Sequence, residues 1–364
     1  MPTTRRVELL DLLRGAVILL MALDHTRDFF QPTGTNPENL DTTTLALFAT
    51  RWVTHLCAPS FVFLAGVGMG LQVTRKGATN SLLRFFATRG LWLMLLECTW
   101  VTFSWYFDFH AIHLGVLWGI GGAMLLTAPF CRLSPRWSAA IGAVTLLVLT
   151  MIPPVKTGVL GFFLQPGSLM LGTMPVNSVY VIIPWWSVMM IGMAAASWFD
   201  SDEKAPLLRK AGMGLLVGFL VLRGFNLGDP SPWAEHPRGF DITALSFLRV
   251  SKYPPSLAYL CATLGTSFTL GSLLLWLAAP VRRVVGTFGR VPLFYYLIHL
   301  PFLHLLGVLY ATGIHGTTKI PGDEPLSLSV IYAAWILASA ALYWPCRAYD
   351  RAKLHHRKPW MRYL

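Results

Sequence analysis

Ten long apolar stretches dominate this 364-residue chain and limit what it can fold into. A helix needs about 20 mostly apolar residues to cross the hydrocarbon core of a bilayer. The stretches are continuous rather than alternating, which favours helices over the strands of a membrane barrel. We therefore expect an all-α, polytopic transmembrane helix bundle of about ten spans, forming a single transmembrane domain over 1–364. The predicted spans are 9–30, 56–73, 85–107, 111–130, 137–153, 180–199, 207–225, 256–279, 292–311 and 326–346. A further short or re-entrant helix could lie in 157–179.

The distribution of charge supports the same interpretation. Only 13% of the residues are charged, whereas soluble domains carry about 25%. This composition excludes an ordinary soluble globule, a disordered protein and a nucleic-acid module. With the amino terminus inside, 20 of the 29 Lys and Arg fall in inner segments and eight in outer ones. Because cytoplasmic loops collect these cations, we expect both termini in the cytoplasm and membrane lipids as partners. The protein could also form a homodimer, and the sequence does not decide this.

The first span carries ionisable side chains that are costly inside a membrane. Asp11, Arg14, Asp24, His25 and Asp28 all lie in or beside it, and one such group at a helix centre costs about 2.5–3.5 kcal/mol on insertion scales. Asp11 and Arg14 are three residues apart and can pair. His25 follows Arg14 by eleven residues, which is about 16 Å along a helix and close to three turns. One helix would therefore present a cation to a cytoplasmic donor and an imidazole to an outer acceptor.

His25 is the first candidate for a catalytic base. Asp24 precedes it and Asp28 follows three residues later. A carboxylate on one ring nitrogen fixes the tautomer and makes the other nitrogen a better base. The alternative is a structural histidine near the headgroups. His55 opens the second span at the outer face, where it could meet His25 or could be a polar helix start.

Further polar residues lie in the third predicted span and in the hairpin that it forms with the fourth. Glu97 is in the middle of the third span, where we expect an Arg or Lys partner and a structural role. His110 and His113 lie at the outer end of the hairpin, and with the two earlier histidines they could form a zinc site. Their spacing matches no metal-binding motif, so no metal is expected.

The last third of the chain adds two sets of candidates. Arg249, Lys252 and Tyr253 lead into the eighth span and could bind an anionic acceptor; snorkelling membrane anchors are the alternative. Arg290 lies at the inner edge of the ninth span and His299 near its middle. His299 could be a second polar group along a channel.

Five segments resemble the bacterial DUF1624 family, which is similar to the catalytic domain of heparan-alpha-glucosaminide N-acetyltransferase. They are LDLLRGAVILLMALDHTRDFF, TRWVTHLCAPSFVFLAGVGMG, RGLWLMLLE, KYPPSL and FGRVPLFYYLIHL. The spacing of Arg14 and His25 also resembles the first helix of the acyltransferase-3 membrane enzymes, whose histidine there is essential. The resemblance implies a transmembrane acyltransferase of a bacterial inner membrane, which takes acetyl-CoA from the cytoplasm and acylates a sugar on the far side.

The chain departs from the lysosomal enzyme of this family at one important position. There the proposed catalytic histidine lies in the first lumenal loop, after an Asn near the helix end. Here Asp24 falls near that Asn, and residues 31–54 contain no histidine. The catalytic role therefore passes to His25 or to His55.

The leading hypothesis is an acyl-CoA-dependent acetyltransferase that modifies a hydroxyl or amine of a periplasmic sugar or glycan. His25 would be the base, oriented by Asp24 or Asp28. Acetyl-CoA would be the co-substrate, held through Arg14, Arg290 and His299. Arg249, Lys252, Tyr253 and His55 would face the acceptor. The alternative is a transporter or flippase for an anionic glycolipid or metabolite, in which the same charges would be substrate and proton sites.

Overall fold

The structure is a computed structural model, and it describes residues 7–152, 158–322, 325–356 and 358–364. The protein is mostly helical (72%). The α-helices are α1 (Glu8–Phe29), α2 (Leu45–Thr54), α3 (Cys57–Lys76), α4 (Asn80–Leu96), α5 (Thr102–Tyr106), α6 (Val116–Thr127), α7 (Pro135–Met151), α8 (Gly158–Leu164), α9 (Ile182–Ala194), α10 (Ala196–Asp200), α11 (Lys204–Gly224), α12 (Phe240–Leu248), α13 (Leu257–Gly271), α14 (Ala279–Arg290), α15 (Pro292–His315) and α16 (Leu328–His356). The strands are β1 (Ile112–Leu114), β2 (Gly167–Leu171) and β3 (Met174–Ser178).

Five helical segments of the described residues are long and apolar enough to cross a membrane. They are Leu45–Lys76, Lys204–Gly224, Leu257–Trp276, Pro292–His315 and Leu328–His355. Each overlaps one of the ten predicted spans. Three shorter apolar helices, at Val116–Arg132, Pro135–Met151 and Ile182–Ala194, overlap three more. The count of ten spans and the cytoplasmic termini stay predictions, and residues 1–6, 153–157, 323–324 and 357 lie outside the described part.

Two predicted spans are less regular than the sequence suggested. The span 85–107 is helical but contains a π-helical turn at Glu97–Val101. The span 111–130 is wrong at its start, because Ile112–Leu114 is a strand and the helix begins only at Val116. Periodicity cannot distinguish a strand from a buried helix in an apolar run as short as this one.

A small sheet is the exception to the predicted all-α class. The strand β3 lies in the middle, antiparallel to β2 and parallel to β1, with Leu114 opposite Ser178. Two of its strands, β2 and β3, and the seven-residue α8 lie in the region 157–179, where we expected a short or re-entrant helix. Residue 157 lies outside the described part.

The chain divides into two compact units that alternate along the sequence. The first comprises Ala58–Trp233 and Val250–Leu274, with the described residues up to Leu10. Within it, α6 packs on α4 and α9, α7 packs on α9, and α11 packs on α13. The second unit comprises Asp11–Cys57, Ala234–Arg249 and Leu275–Leu364.

In the second unit, α1 packs closely against its neighbours. A Cβ on Gly15 would lie 1.9 Å from the backbone oxygen of Val285, and one on Gly289 would lie 1.7 Å from that of Asp11. Such distances leave no space for a side chain, so glycine is required where α1 meets α14. From α16, the indole of Trp335 donates to the backbone oxygen of Leu19 at 2.8 Å.

Two regions between predicted spans, 31–55 and 226–255, contain helices that the sequence did not predict. The region 31–55 includes α2, which Thr44 caps by accepting a hydrogen bond from Leu47 N–H. The region 226–255 includes α12. The apolar faces of the two helices share a small core with Leu40, and its buried members are Leu40, Phe48, Ile242 and Leu245. These parts of the two regions are therefore packed together within the second unit.

Candidate active site

Two histidines that are distant in sequence meet inside the second unit. His25 lies near the end of α1 and His299 lies in the first third of α15. Nδ1 of His25 is 2.8 Å from Nε2 of His299, and the two rings are inclined by only 12°. His25 is 9% exposed and His299 is fully buried. At this distance one nitrogen donates a proton and the other accepts it.

The position of that proton follows from the next hydrogen bond. Nδ1 of His299 is 2.9 Å from the carbonyl oxygen of Tyr295. A carbonyl only accepts, so Nδ1 of neutral His299 carries the proton and its Nε2 is the acceptor. Nδ1 of His25 therefore donates to His299. In neutral His25 the lone pair then lies on Nε2, which is the form of imidazole that acts as a base.

Aromatic rings enclose the histidine pair. The Tyr295 ring stacks on His299 with centroids 4.9 Å apart. The Tyr296 ring meets both imidazoles edge-on, at 6.1 Å from His25 and 5.5 Å from His299. The Tyr295 hydroxyl is 3.2 Å from Ser339 Oγ on α16. Because low-dielectric surroundings strengthen a hydrogen bond, the two imidazoles are held as one unit.

The end of α1 is fixed against α15 next to the pair. A Cβ on Gly307 would lie 2.7 Å from the backbone oxygen of Phe29. The Phe29 ring stacks on His304 with centroids 4.7 Å apart. His25 therefore lies one turn before a close helix–helix contact, which limits how far its ring can move.

The carboxylate next to His25 in the sequence belongs to a cluster of ion pairs. Arg51 Nη1 donates to both oxygens of Asp24, at 2.7 and 2.9 Å, and Thr54 Oγ1 donates at 2.7 Å. Arg27 Nη1 is 2.8 Å from Asp24, and Arg27 Nη2 is 2.6 Å from Asp28. Both carboxylates that we expected to orient His25 are thus paired with arginine. The ring nitrogen Nδ1 of His25 pairs instead with His299.

His55 is buried at the end of α2 and lies beside the same cluster. It is 1% exposed, and its Nε2 is 3.3 Å from a carboxylate oxygen of Glu38. Glu38 also lies 3.8 Å from Arg51 Nε, and Arg51 binds Asp24. His55 is therefore linked through Glu38 and Arg51 to the end of α1.

The two arginines expected to hold acetyl-CoA are Arg14, in the first half of α1, and Arg290, the last residue of α14. Arg14 is half-buried and interacts electrostatically with Asp11, as the spacing predicted. Arg290 follows Gly289, which contacts Asp11 directly. Arg290 Nε donates to Asp350 at 2.8 Å and its Nη2 donates to Thr287 at 3.0 Å. These bonds use two of the five N–H donors of the guanidinium.

The predicted acceptor-side residues fall into different units. Arg249 is half-buried at the end of α12 in the second unit, whereas Lys252 and Tyr253 belong to the first. Lys252 is 7% exposed, with its ammonium 5.0 Å from the centre of the Tyr253 ring. Lys252 and Tyr253 therefore lie together in the first unit, whereas Arg249 belongs to the second.

Glu97 has a different partner from the one expected. The sequence suggested an Arg or Lys, but its two oxygens accept from the backbone N–H of Gly115 at 3.1 Å and of Leu117 at 2.7 Å. These N–H groups begin α6 and have no acceptor within that helix. Glu97 is fully buried, so it caps α6 from the π-helical turn. This confirms the expected structural role and corrects the expected partner.

His110 and His113, which follow the third predicted span, belong to the first unit. His110 is exposed and pairs with Asp108. Backbone N–H donation from His110 lowers the pKa of the Asp108 carboxyl. Within the described ranges, no three His, Cys, Asp or Glu side chains are grouped as metal ligands.

Sequence reasoning missed several members of the site. Glu38, Arg51, Thr54, Tyr295 and Asp350 make contacts that no local pattern indicates. Arg51 and Thr54 do lie in the segment TRWVTHL, which was singled out for its histidine.

These features describe a helical membrane protein with a buried histidine pair and an ion-pair cluster beside it. Residues 6–225 match the family described as heparan-alpha-glucosaminide N-acetyltransferase, catalytic. The match covers more than half of the chain, and the protein belongs to this family of acetyltransferases. The matched segment includes His25, Arg51 and His55 but ends before Lys252 and His299. A comparison with curated proteins gave no match.

Proposed function

We propose that this protein transfers an acetyl group from acetyl-CoA to a hydroxyl or amine of a sugar or glycan, with His25 as the general base. The observation that carries the proposal is the hydrogen-bond series from His25 through His299 to the carbonyl of Tyr295. It assigns the lone pair of neutral His25 to Nε2. Membership of an acetyltransferase family supports the reaction class.

The reaction needs one base and correct positioning, and the thioester supplies a good leaving group. Nε2 of His25 removes the proton from the acceptor hydroxyl or amine as that atom attacks the thioester carbonyl. The C–S bond then breaks, and the CoA thiolate takes the proton from His25. A positioned general base contributes about 10²–10⁴-fold to rate.

A covalent route uses the same atom. Nε2 of His25 would attack the thioester carbonyl, release the CoA thiolate and carry the acetyl group to the acceptor. Both routes need the lone pair on Nε2, and both leave a positive charge on His25 for part of the cycle. His299 acts as the positioning residue in either case, because its Nε2 accepts from Nδ1 of His25.

The donor would be held at the other end of α1. CoA carries phosphates, and arginine recognises phosphate through several N–H groups. Arg290 fits this role, because Asp350 and Thr287 fix its orientation while using two of its five N–H donors. Arg14 lies on the same end of α1. The excess of Lys and Arg in the predicted inner segments supports acetyl-CoA entry from the cytoplasm.

The acceptor would lie on the periplasmic side of a bacterial inner membrane. Arg249, Lys252 and Tyr253 are proposed to contact it, and His55 is the alternative base. His55 lies within 3.3 Å of Glu38, which suits a neutral or a charged imidazole. The series that assigns a lone pair to one ring nitrogen is shown for His25, which is why we place the base there.

The test compares two histidine variants of the purified full-length protein in detergent. His25→Ala is assayed for acetyl-CoA-dependent acetylation of cell-envelope glycans, beside His304→Ala as the matched control. His304 lies on α15 and stacks on Phe29, but it has no assigned role. We expect His25→Ala to lose about 10²–10⁴-fold in kcat and His304→Ala to stay close to wild type. Full activity of His25→Ala would remove this residue from the mechanism.

A further inference from the structure

One exposed face near the end of α16 combines aromatic, apolar and cationic side chains. Trp344, Arg347, Arg351 and Leu354 follow one another at intervals of three and four residues, so they share a side of the helix. Trp344 is 66% exposed and Leu354 is 50% exposed. The guanidinium of Arg347 lies 5.8 Å from the centre of the Trp344 ring, within the range of about 6 Å for cation–π attraction. Such a face suits neither plain water nor plain hydrocarbon.

The length of α16 indicates where this face lies relative to a bilayer. Its 29 residues span about 43 Å at about 1.5 Å per residue, whereas the hydrocarbon core is about 30 Å thick. At the average tilt of about 20°, one end still extends into the headgroup region. Ile336 and Leu337 are exposed and apolar, whereas both arginines lie in the last third of the helix. We therefore expect α16 to leave the hydrocarbon near Trp344, because tryptophan is enriched at the membrane boundary.

The helix α14 packs against the same part of α16 within the second unit. The Phe288 ring lies 5.8 Å from the Tyr343 ring, and Arg290 Nε donates to Asp350 at 2.8 Å. These contacts fix the buried second half of α14 beside the part of α16 that carries the exposed face.

The first half of α14 projects with an apolar side and a cation. Val281 and Val284 are three residues apart, share one side of the helix and are exposed. Arg283 is also exposed, and its position two residues after Val281 places it about 200° round the helix from that valine. Trp276, which precedes the helix, is 75% exposed. A short helix with valines on one side and arginine on another is typical of segments that lie in the membrane interface.

Three arginines of this surface form no ion pair. Among the described residues, no carboxylate pairs with Arg283, Arg347 or Arg351. Asp350 is the only acidic residue in 325–364, and it is buried and paired with Arg290. A small hydrophilic anion would match only the arginines, whereas a phospholipid with a net negative headgroup matches both the charge and the apolar surface beside it.

We propose that this surface, formed by residues 276–284 and the exposed side of α16 from Trp344 to Leu354, binds an anionic phospholipid of the phosphatidylglycerol type. Arginine recognises phosphate through several N–H groups, and each basic residue near an anionic membrane surface contributes an attraction equivalent to about fivefold in binding. Phosphatidylcholine also carries a cationic choline, so it offers no net charge. The three arginines belong to the predicted inner segments, and the cytoplasmic leaflet attracts such residues through its anionic lipids. The proposal is independent of acetyl transfer, in which none of these residues has an assigned role.

The test places a fluorescent reporter in the proposed binding surface. Ala348 is exposed between Arg347 and Arg351, and Ala348→Cys is labelled in a Cys98→Ser background, because the other four cysteines are buried. The labelled full-length protein is reconstituted into phosphatidylcholine vesicles that contain the same small fraction of doxyl-labelled phosphatidylglycerol or doxyl-labelled phosphatidylcholine. Quenching of the reporter measures which lipid occupies the surface, and we expect phosphatidylglycerol to be preferred at least about fivefold. A reporter at Ala333→Cys, exposed on α16 fifteen residues earlier, should show no preference.

Two sets of charge removals separate the effect of these arginines from that of general surface charge. The triple variant, Arg283→Gln with Arg347→Gln and Arg351→Gln, should lower the preference to about one. Its matched control, Lys76→Gln with Arg84→Gln and Arg136→Gln, removes three exposed cations from the first unit. The control should leave the preference at Ala348→Cys unchanged.

Each other outcome contradicts the proposal. Equal quenching by the two lipids at Ala348→Cys, or a preference that survives the triple variant, would show that the arginines select no lipid headgroup. Removal of the preference by acetyl-CoA or inorganic phosphate, but not by sodium chloride of the same ionic strength, would assign the surface to a soluble phosphate ligand. A reporter that neither lipid quenches would show that protein, such as a second copy of the chain, covers the surface.

Discussion

Two buried polar sites, one in each unit, show why burial alone does not reveal function. Glu97 is fully buried in the first unit, and its two oxygens are occupied by backbone N–H groups at the start of α6. His25 and His299 are buried in the second unit, and their hydrogen bonds form a directed series. In the first arrangement, the carboxylate accepts hydrogen bonds from N–H groups that have no acceptor within their own helix. The second places a lone pair on a named nitrogen, and we propose that this difference separates a structural group from a catalytic one.

The largest expected effect concerns the structural site. Glu97→Ala leaves the N–H groups of Gly115 and Leu117 without acceptors in a buried position. Each unsatisfied buried group costs about 1–3 kcal/mol, so we expect a loss of about 3 kcal/mol or more in the free energy of unfolding. Thermal or denaturant unfolding of the purified protein measures it. If Glu97→Ala kept its stability but lost acetyl-CoA turnover, Glu97 would have a role in the reaction and not a structural one, which contradicts the prediction.

The second prediction addresses the chemical site. His299→Leu removes the acceptor for Nδ1 of His25, so the ring can change tautomer and orientation, and we expect kcat to fall about 10–100-fold, the lower part of the range for general-base catalysis. His299→Asn keeps a side-chain oxygen as acceptor and should recover part of this loss. The pH profile of kcat/KM is measured for both. Equal losses in Leu and Asn, with an unchanged pH profile, would indicate a packing role for His299.

The sequence alone does not predict most of the contacts that distinguish the two sites. The apolar runs predicted helices at most of the observed places, and the charges of α1 drew attention to Arg14 and His25. The partner of His25 is 274 residues away, and no local period or spacing indicates it. The same holds for Glu97, whose backbone partners depend on where α6 begins. The strand β1 was missed because its three residues fit an apolar helix equally well.

A smaller effect is expected at the ion-pair cluster. Arg51→Leu removes two hydrogen bonds to Asp24 but leaves those from Arg27 and Thr54. Because the remaining partners still compensate the carboxylate, we expect a loss of about 1–2 kcal/mol of stability and a smaller change in kcat than in His299→Leu. Denaturant unfolding and kcat are measured on the same preparation. A loss of kcat as large as that of His25→Ala would indicate that the ion-pair cluster takes part directly in catalysis.

The smallest effect is expected at Tyr295. Its carbonyl, not its hydroxyl, accepts from His299, and the hydroxyl instead lies 3.2 Å from Ser339. Tyr295→Phe removes a neutral hydrogen bond of about 1 kcal/mol and should leave kcat within a few-fold of wild type. Steady-state kinetics with acetyl-CoA checks this. A loss of 10²-fold or more would show that the hydroxyl takes part in the reaction, beyond what one such bond supplies.

The most direct test of the account is a double-mutant cycle on kcat with His25→Ala and His299→Leu. If His299 acts through His25, its removal should lower kcat in the wild-type background and have no further effect once His25 is absent, because residues that act as one unit are not additive. Our account therefore predicts that the double variant equals His25→Ala. A double variant that falls by the full product of the two single losses would show that the two histidines act independently, and would contradict it.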